Sequence, residues 1–397
     1  MTRPARSALV LDGSEVKLRL EAERAAAKSP VHIDWVRFTV LRRNTPSPSI
    51  DLLFPKSSSV WDDNYRKNEL TRILAELPNE EFGAAAQAHE LASEVCAALG
   101  EDFTVATEVR KGHDFYRFRW AIERNGVEAG WIGFLSSSDS PRQQAQSRTL
   151  HCNLFGAACT FAAHGWNHRL ASIVEARDGD LTRCDLALDF FDGVEGGLDG
   201  IVEDYKAGRC DSGGKRLKSN CVGDWLNGVE RSLYFGSKEA GKQTNCYEKG
   251  HQLFGGDSGS PWLRIELRYG NKLRVLSADM LRRPADFFAG ASDWHALMLA
   301  KADAIAVAEP VKTTGRLAIE TVEAEVTRNI KWAMHTASAT IAMAYKYSSE
   351  ELFYELCTAA SKVPGRLKSF SPSELQSAFG RVFQKVSTVE GACPAFA

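Results

Sequence analysis

Three short segments hold the residues best suited to chemistry. Alternate residues of a β-strand share a face. In RCDLALDFF (183–191), Arg183, Asp185, Ala187 and Asp189 therefore lie on one side, with Cys184, Leu186, Leu188 and Phe190 on the other. WLRIELRY (262–269) repeats the design, setting Arg264, Glu266 and Arg268 against Leu263, Ile265 and Leu267. TNCYEKG (244–250) sets Asn245, Tyr247 and Lys249 against Cys246 and Glu248. Each polar face read alone is a solvated surface with cross-strand ion pairs. Were the three to converge, they would bring together carboxylates, a tyrosine, a lysine and several arginines. Carboxylate oxygens suit Mg²⁺ or Mn²⁺, and arginine and lysine suit phosphate. A tyrosine beside such a site can serve as a covalent nucleophile. The joint pattern points to phosphodiester chemistry.

The elements that must position these residues are legible from periodicity. VHIDWVRFTV (31–40) alternates and reads as a strand with Ile33 and Trp35 packed. NEEFGAAAQAHELASEVCAALG (79–100) reads as a helix ending at Gly100. HDFYRFRWAIER (113–124) and VEAGWIGFLS (127–136) read as a hairpin turning at Asn125-Gly126. SRTLHCNLFG adds a strand, and the segment from Ala157 to Gly179 reads as one helix. The strands at 183–193, 231–237, 244–250 and 262–269 complete an α+β fold with an antiparallel-leaning central sheet and flanking helices. Beyond about residue 290 the strands stop. Ile319, Val322, Val326, Ile330, Ala333, Ala337 and Ile341 form a helical stripe. Ser348/Glu351 and Ser371/Glu374 read as capping boxes. The expected domains are a charged N-terminal arm (1–30), with room for a short helix at 14–28, a central domain (31–290) and a C-terminal helical module (291–397).

Composition narrows the function classes. The 397 residues are 44% hydrophobic and 25% charged, with a net charge of −2, which excludes a histone-like polycation and an acidic disordered tail. The average hides an asymmetry. Residues 205–285 carry 15 Lys/Arg against 8 Asp/Glu, a local +7 against −9 for the remainder. That stretch includes SGGKRLKSN, whose Lys215, Arg216 and Lys218 sit in a glycine-rich loop suited to tracking phosphate. Neither a membrane-spanning run nor a secretory leader is expected. Nine cysteines without a C-x-x-C pair read as reduced thiols in a cytoplasm.

Other motifs are set aside. GSKEAGKQ (236–243) resembles a phosphate-binding loop, but Gln243 stands where Ser or Thr is needed and a strand follows, so a hairpin turn is expected. His164 and His168 lack the glutamate of a zinc protease helix and read as surface or half-buried residues.

The motifs together resemble the replication initiation factor family (Rep_trans type) of filamentous phages and rolling-circle plasmids. The elements are HIDWVRFTV, RCDLALD, LYFGS, CYEKG and RIELR, in the family's order, across about residues 31–285. The resemblance implies an enzyme, a DNA nickase that opens rolling-circle replication by transesterification. It would form a 5′-phosphotyrosine and free a 3′-hydroxyl primer. Tyr247 matches the nucleophile, with Lys249 assisting. Asp185, Asp189 and Glu266, with Asp34 as a further candidate, match the acidic positions for Mg²⁺ or Mn²⁺. Arg183, Lys215, Arg216, Lys218, Lys238, Lys242, Arg264 and Arg268 are the expected DNA contacts. The implied partner is origin DNA, with no membrane, in the cytoplasm of a bacterial host; recruitment of a host helicase and formation of a dimer are both open roles for the acidic remainder and the helical C-terminus, and the sequence does not decide between them. A water-using metal-dependent endonuclease and a non-catalytic DNA-binding regulator remain as alternatives.

Overall fold

In the computed structural model the strands form one continuous sheet. The described residues are 13–45, 79–138, 146–212, 214–302, 308–313, 340–359 and 370–389, with isolated positions between them. Eleven strands run β1 (Val31–Leu41), β2 (Phe103–Val105), β3 (Arg110–Lys111), β4 (Tyr116–Arg124), β5 (Val127–Ser136), β6 (Thr149–Leu154), β7 (Asp180–Phe190), β8 (Ser219–Asp224), β9 (Val229–Ser237), β10 (Lys242–Glu248) and β11 (Leu263–Gly270). Their order is β2-β4-β5-β6-β1-β7-β11-β10-β9-β8, with β3 beside β4. Every pairing is antiparallel. The fold is α+β, as expected.

Helices cover the apolar face. They are α1 (Gly13–Ala27), α2 (Asn79–Leu99), α3 (Gly156–Phe161), α4 (Trp166–Ala176), α5 (Gly197–Lys206), α6 (Lys249–Phe254), α7 (Asp279–Arg282), α8 (Pro284–Ala289) and α9 (Asp293–Ala302); α10 (Glu350–Ala359) and α11 (Pro372–Val389) belong to a separate unit of the chain. α3 and α8 lie against β1, α9 against β7, and α5 against β9 and β10. Cys184, Leu186, Leu188, Cys246, Ile265 and Leu267 are fully buried beneath them. That burial supplies the main driving force for the sheet's orientation.

Several local expectations hold. Asn125 (φ 52°) and Gly126 (φ 74°) are both left-handed, the conformation a tight two-residue hairpin needs. Lys238–Gly241 form a hairpin turn between β9 and β10, closed by Gly241 N–H to Lys238 O (3.0 Å). Ser371 and Glu374 cap α11 reciprocally, with Ser371 N–H to Glu374 Oε2 at 2.8 Å and Glu374 N–H to Ser371 Oγ at 3.4 Å.

Others are corrected. The helix expected over 157–179 is two helices, because Gly165 turns left-handed (φ 77°) ahead of buried Trp166. Ser349, not Ser348, caps α10 through Leu352 N–H (3.3 Å). β8 pairs with β9 at the sheet edge, where no strand was expected. In the charged N-terminal segment, the short helix allowed at 14–28 is α1, and it buries Val16 and Leu20. Arg19 Nη2 donates to Ala162 O at 2.7 Å, and Arg24 Nη2 to Ala302 O at 2.6 Å.

The chain divides into two compact units, Met1–Thr313 and Thr314–Ala397. Val326, Leu367, Ala378 and Val382 form the second unit's own apolar cluster. Most of the helical stripe expected over 319–341 lies outside the described residues. No helix among the described residues is long and apolar enough to cross a membrane.

Candidate active site on the polar face of the sheet

The adjacency of β1, β7, β11 and β10 converts three separate polar faces into one. Register sets Arg264 opposite both Asp189 and Tyr247, Glu266 opposite Asn245, and Arg268 opposite both Asp185 and Gln243. A bulge in β1 at Asp34 adds a fourth contribution. Before it, Val31 and Ile33 are buried; after it the phase reverses, and Val36, Phe38 and Val40 are buried. Asp34 and Trp35 are thereby both released to the polar side, as bulges commonly re-aim side chains. Trp35, expected to be packed like Ile33, is half-buried instead, and its Nε1 donates to Asn153 Oδ1 at 2.8 Å.

The carboxylates are held by guanidinium groups. Arg264, 1% exposed, donates from Nε and Nη2 to the two oxygens of Asp189, each at 2.8 Å, and from Nη1 to Asp34 Oδ1 at 2.7 Å. Trp262 Nε1 also donates to Asp189 Oδ1 at 2.6 Å, and His32 Nδ1 stands 3.6 Å from Oδ2. Arg183 Nε donates to Asp185 Oδ1 at 2.9 Å, and Arg268 Nε to Glu266 Oε1 at 2.5 Å. Arg268 Nε lies 3.8 Å from Asp185 as well. The four acidic residues thus form two arginine-bridged pairs, Asp34 with Asp189 and Asp185 with Glu266.

Burial raises the Asp34 and Asp189 carboxyls, but Arg264 more than reverses this, and both end below the usual carboxylate range. Asp185 keeps the effect of burial. Its carboxyl is pushed up to about 7, opposed by Arg183 and reinforced by the Glu266 charge. His32 is lowered to about 4, chiefly by burial.

Tyr247 is half-buried, and its hydroxyl has no hydrogen-bond partner among the described residues. Burial holds that hydroxyl well above the ordinary tyrosine value, with Arg264 pulling the other way. Lys249 lies beyond the strand, as the first residue of α6, and not on β10 as its spacing implied. Its Nζ still sits 5.7 Å from the centre of the Tyr247 ring. Burial, then Arg264, lowers the ammonium to about 8.

A divalent ion needs several oxygens converging on one point. Among the described residues no group of three His, Cys, Asp or Glu side chains could hold one. An ion would have to displace Arg264 or Arg268 from carboxylates they already bond. As arranged, the residues do not fit a bound ion, and no step below is routed through one.

The expected DNA contacts separate into three groups. Arg264 is internal to the site. Arg183, Lys238 and Arg268 line a cleft of about 420 Å³ on the polar face. Lys215, Arg216, Lys218 and Lys242 line a different one of about 340 Å³, with Thr244 and His295. Lys242 and Thr244 alternate with Gln243 and Asn245 along β10, so this second cleft lies toward the helices, away from Tyr247. Sequence reasoning missed His32, Arg37 and Trp262. The alternation of His32 with Asp34 was a visible signal, whereas Trp262 needed the β7–β11 register.

Comparison with known proteins agrees with the motifs. Residues 179–352 match the replication initiation factor family model (Rep_trans). The match takes in the strands bearing Asp185, Asp189, Tyr247 and Glu266. It begins later than the motif resemblance, leaving β1 outside, and continues into the second unit. Among solved structures, the chain is similar to the rolling circle replication initiator protein from Geobacillus stearothermophilus. Identity is 20%, the TM-score is 0.35, and the match covers 60% of this chain and 74% of that one. No curated protein matches.

Proposed function

We propose that the chain is a rolling-circle replication initiator that nicks origin DNA with Tyr247. The observation that carries this reading is the position of Tyr247. Its hydroxyl, without a hydrogen-bond partner among the described residues, shares a face with a permanently charged Arg264, and beside its ring lies Lys249, whose ammonium is lowered to about 8.

The chemistry follows from those groups. The phenol is protonated at rest. Lys249, partly neutral near its shifted value, accepts the phenolic proton as the Tyr247 oxygen attacks phosphorus. The bond from phosphorus to the 3′ oxygen breaks, and that oxygen takes a proton from solvent to become a 3′-hydroxyl. The other fragment stays on the protein as a 5′-phosphotyrosine, which conserves the bond for later resealing. Arg264 stabilises the negative charge that builds on the phosphoryl oxygens, and Asp34 and Asp189 fix its guanidinium in place. Arg183, Lys238 and Arg268 guide the strand across the polar face. Mg²⁺ or Mn²⁺ would enter only by exchanging with a guanidinium at Asp34, Asp185, Asp189 or Glu266. Lys215, Arg216 and Lys218 would meet duplex flanking the nick, not the nick itself, while Lys242 Nζ donates to Ala291 O at 2.7 Å.

The test is incubation with supercoiled origin-bearing DNA, with and without Mg²⁺ or Mn²⁺. The reading expects a nicked product carrying protein that survives denaturation. Nicking without linkage would favour a water-using endonuclease. Binding without nicking, unaltered by loss of Asp185 and Glu266, would favour a regulator.

A further inference from the structure

The cleft beside Arg183 and Arg268 has features that phosphate binding alone does not explain. Its lining includes two buried polar atoms without hydrogen-bond partners among the described residues, Gln146 Oε1 and Thr182 Oγ1. Thr182 is carried there by a register shift between β1 and β7, at Arg37/Phe38. Buried groups left unpaired are costly, on the order of 1–3 kcal/mol each, and mark places where a partner is missing. Gln243 Oε1, on β10 opposite Arg268, is a third such atom on the same face.

The rest of the lining is aromatic and cationic. Tyr116 and His151, both in the lining, stack on one another at 5.6 Å with an interplanar angle of 10°. Burial lowers His151 to about 4, so the ring is uncharged at neutral pH. Thr39 Oγ1 engages its Nδ1 at 2.9 Å. Arg37, Arg183, Lys238 and Arg268 stand around the opening; Arg37 pairs with Asp114 in the lining, while Arg183 and Arg268 also bond Asp185 and Glu266. Aromatic lining, unmet hydrogen-bonding atoms and a cationic rim match one ligand class, a nucleotide out of its stack. Along β11, Arg268 is four residues from the level of Tyr247, or roughly 13 Å at the rise of a strand. That is within a few nucleotides of a phosphate held at the tyrosine.

We propose that this cleft is a base-reading pocket, which takes one unstacked nucleotide of the nicked strand and sets the sequence preference at that position. It rests on the reading of Tyr247 as nucleophile only in naming which strand enters. Gln146 accepts from an N–H of the base, Thr182 donates or accepts beside it, and Lys238 meets the adjoining phosphate.

The experiment uses the full chain carrying Tyr247→Phe, so that binding is read without chemistry. A single-stranded oligonucleotide enriched from a random pool is scanned with one abasic site at a time, by fluorescence anisotropy. One position should weaken binding about tenfold when its base is removed. Thr182→Val and Gln146→Leu, tested separately, should each cut that penalty to about twofold or less. Both should leave the unfolding temperature within a few degrees of the parent. A flat scan, a penalty unchanged in both variants, or no single-strand binding would overturn the pocket. Covalent linkage by wild type together with a flat scan sinks the pocket and leaves the nucleophile assignment standing. The reverse result sinks the nucleophile and leaves the pocket.

Discussion

Arg264→Met tests how the site is held together. Arg264 is 1% exposed and bonds two carboxylates at once, Asp189 through two hydrogen bonds and Asp34 through one. Methionine preserves much of the volume and none of the charge. Asp189, whose side chain is 2% exposed, would keep the Trp262 hydrogen bond and a neutral His32, too little to replace water. Removing one partner of a buried ion pair typically costs about 3–5 kcal/mol. Asp34, at 17% exposed, can recover some hydration, so about 3–4 kcal/mol is expected. Urea unfolding followed by tryptophan fluorescence measures this, and Trp262 lies at the perturbed carboxylate. The double variant Arg264→Met with Asp189→Asn should recover about 1–3 kcal/mol of the loss. The pH dependence has a definite sign. In the wild type, Asp34 and Asp189 are lowered, so their contribution is present above the ordinary carboxylate value and lost as pH falls through the lower folded one. Without Arg264, burial, the largest influence on each, outweighs what remains and raises both. The gap between variant and wild type should therefore widen as pH rises from about 4 to 7 and close toward pH 3. A loss below about 1 kcal/mol at pH 7, or a gap independent of pH, would refute the view of Arg264 as the group that holds the carboxylates.

Two further outcomes follow. The rate of covalent adduct formation should rise with pH through an inflection near 8, the value to which Lys249 is lowered; Lys249→Met should remove the inflection and cost about 10²–10⁴ in rate, the usual range for a general base. Leu20→Ala in α1 should destabilise the first unit by about 2–5 kcal/mol in a denaturation midpoint, because Leu20 is 4% exposed; no loss would return residues 13–27 to the status of a loose arm.

What could be read from sequence depended on whether a face is fixed by one strand's alternation or by contacts between distant strands. Asp185, Asp189, Tyr247, Glu266 and Arg264 follow simple period-two patterns on strands whose other face is packed, so the face each occupies was legible, while their convergence depends on the strand order. Asp34 and Thr182 sit at register irregularities, where one unpaired residue reverses the alternation and pattern reading fails. Lys249 was assigned to the strand, because nothing in CYEKG marks Glu248 as its last residue. The pairing of carboxylates with arginines was not legible either. Asp34 on β1 meets Arg264 on β11 across the intervening β7, and only the strand order reveals that meeting. β8 was missed because SNCVGD is exposed throughout and carries no apolar alternation.

The central claim is that Tyr247 becomes covalently bound to DNA. Its most direct measurement is mass spectrometry of the protease-digested adduct formed on a single-stranded origin oligonucleotide. The predicted result is a nucleotide-bearing peptide with phosphate on Tyr247, and no adduct from Tyr247→Phe. An adduct mapped to any other residue, or one that persists in Tyr247→Phe, would contradict it.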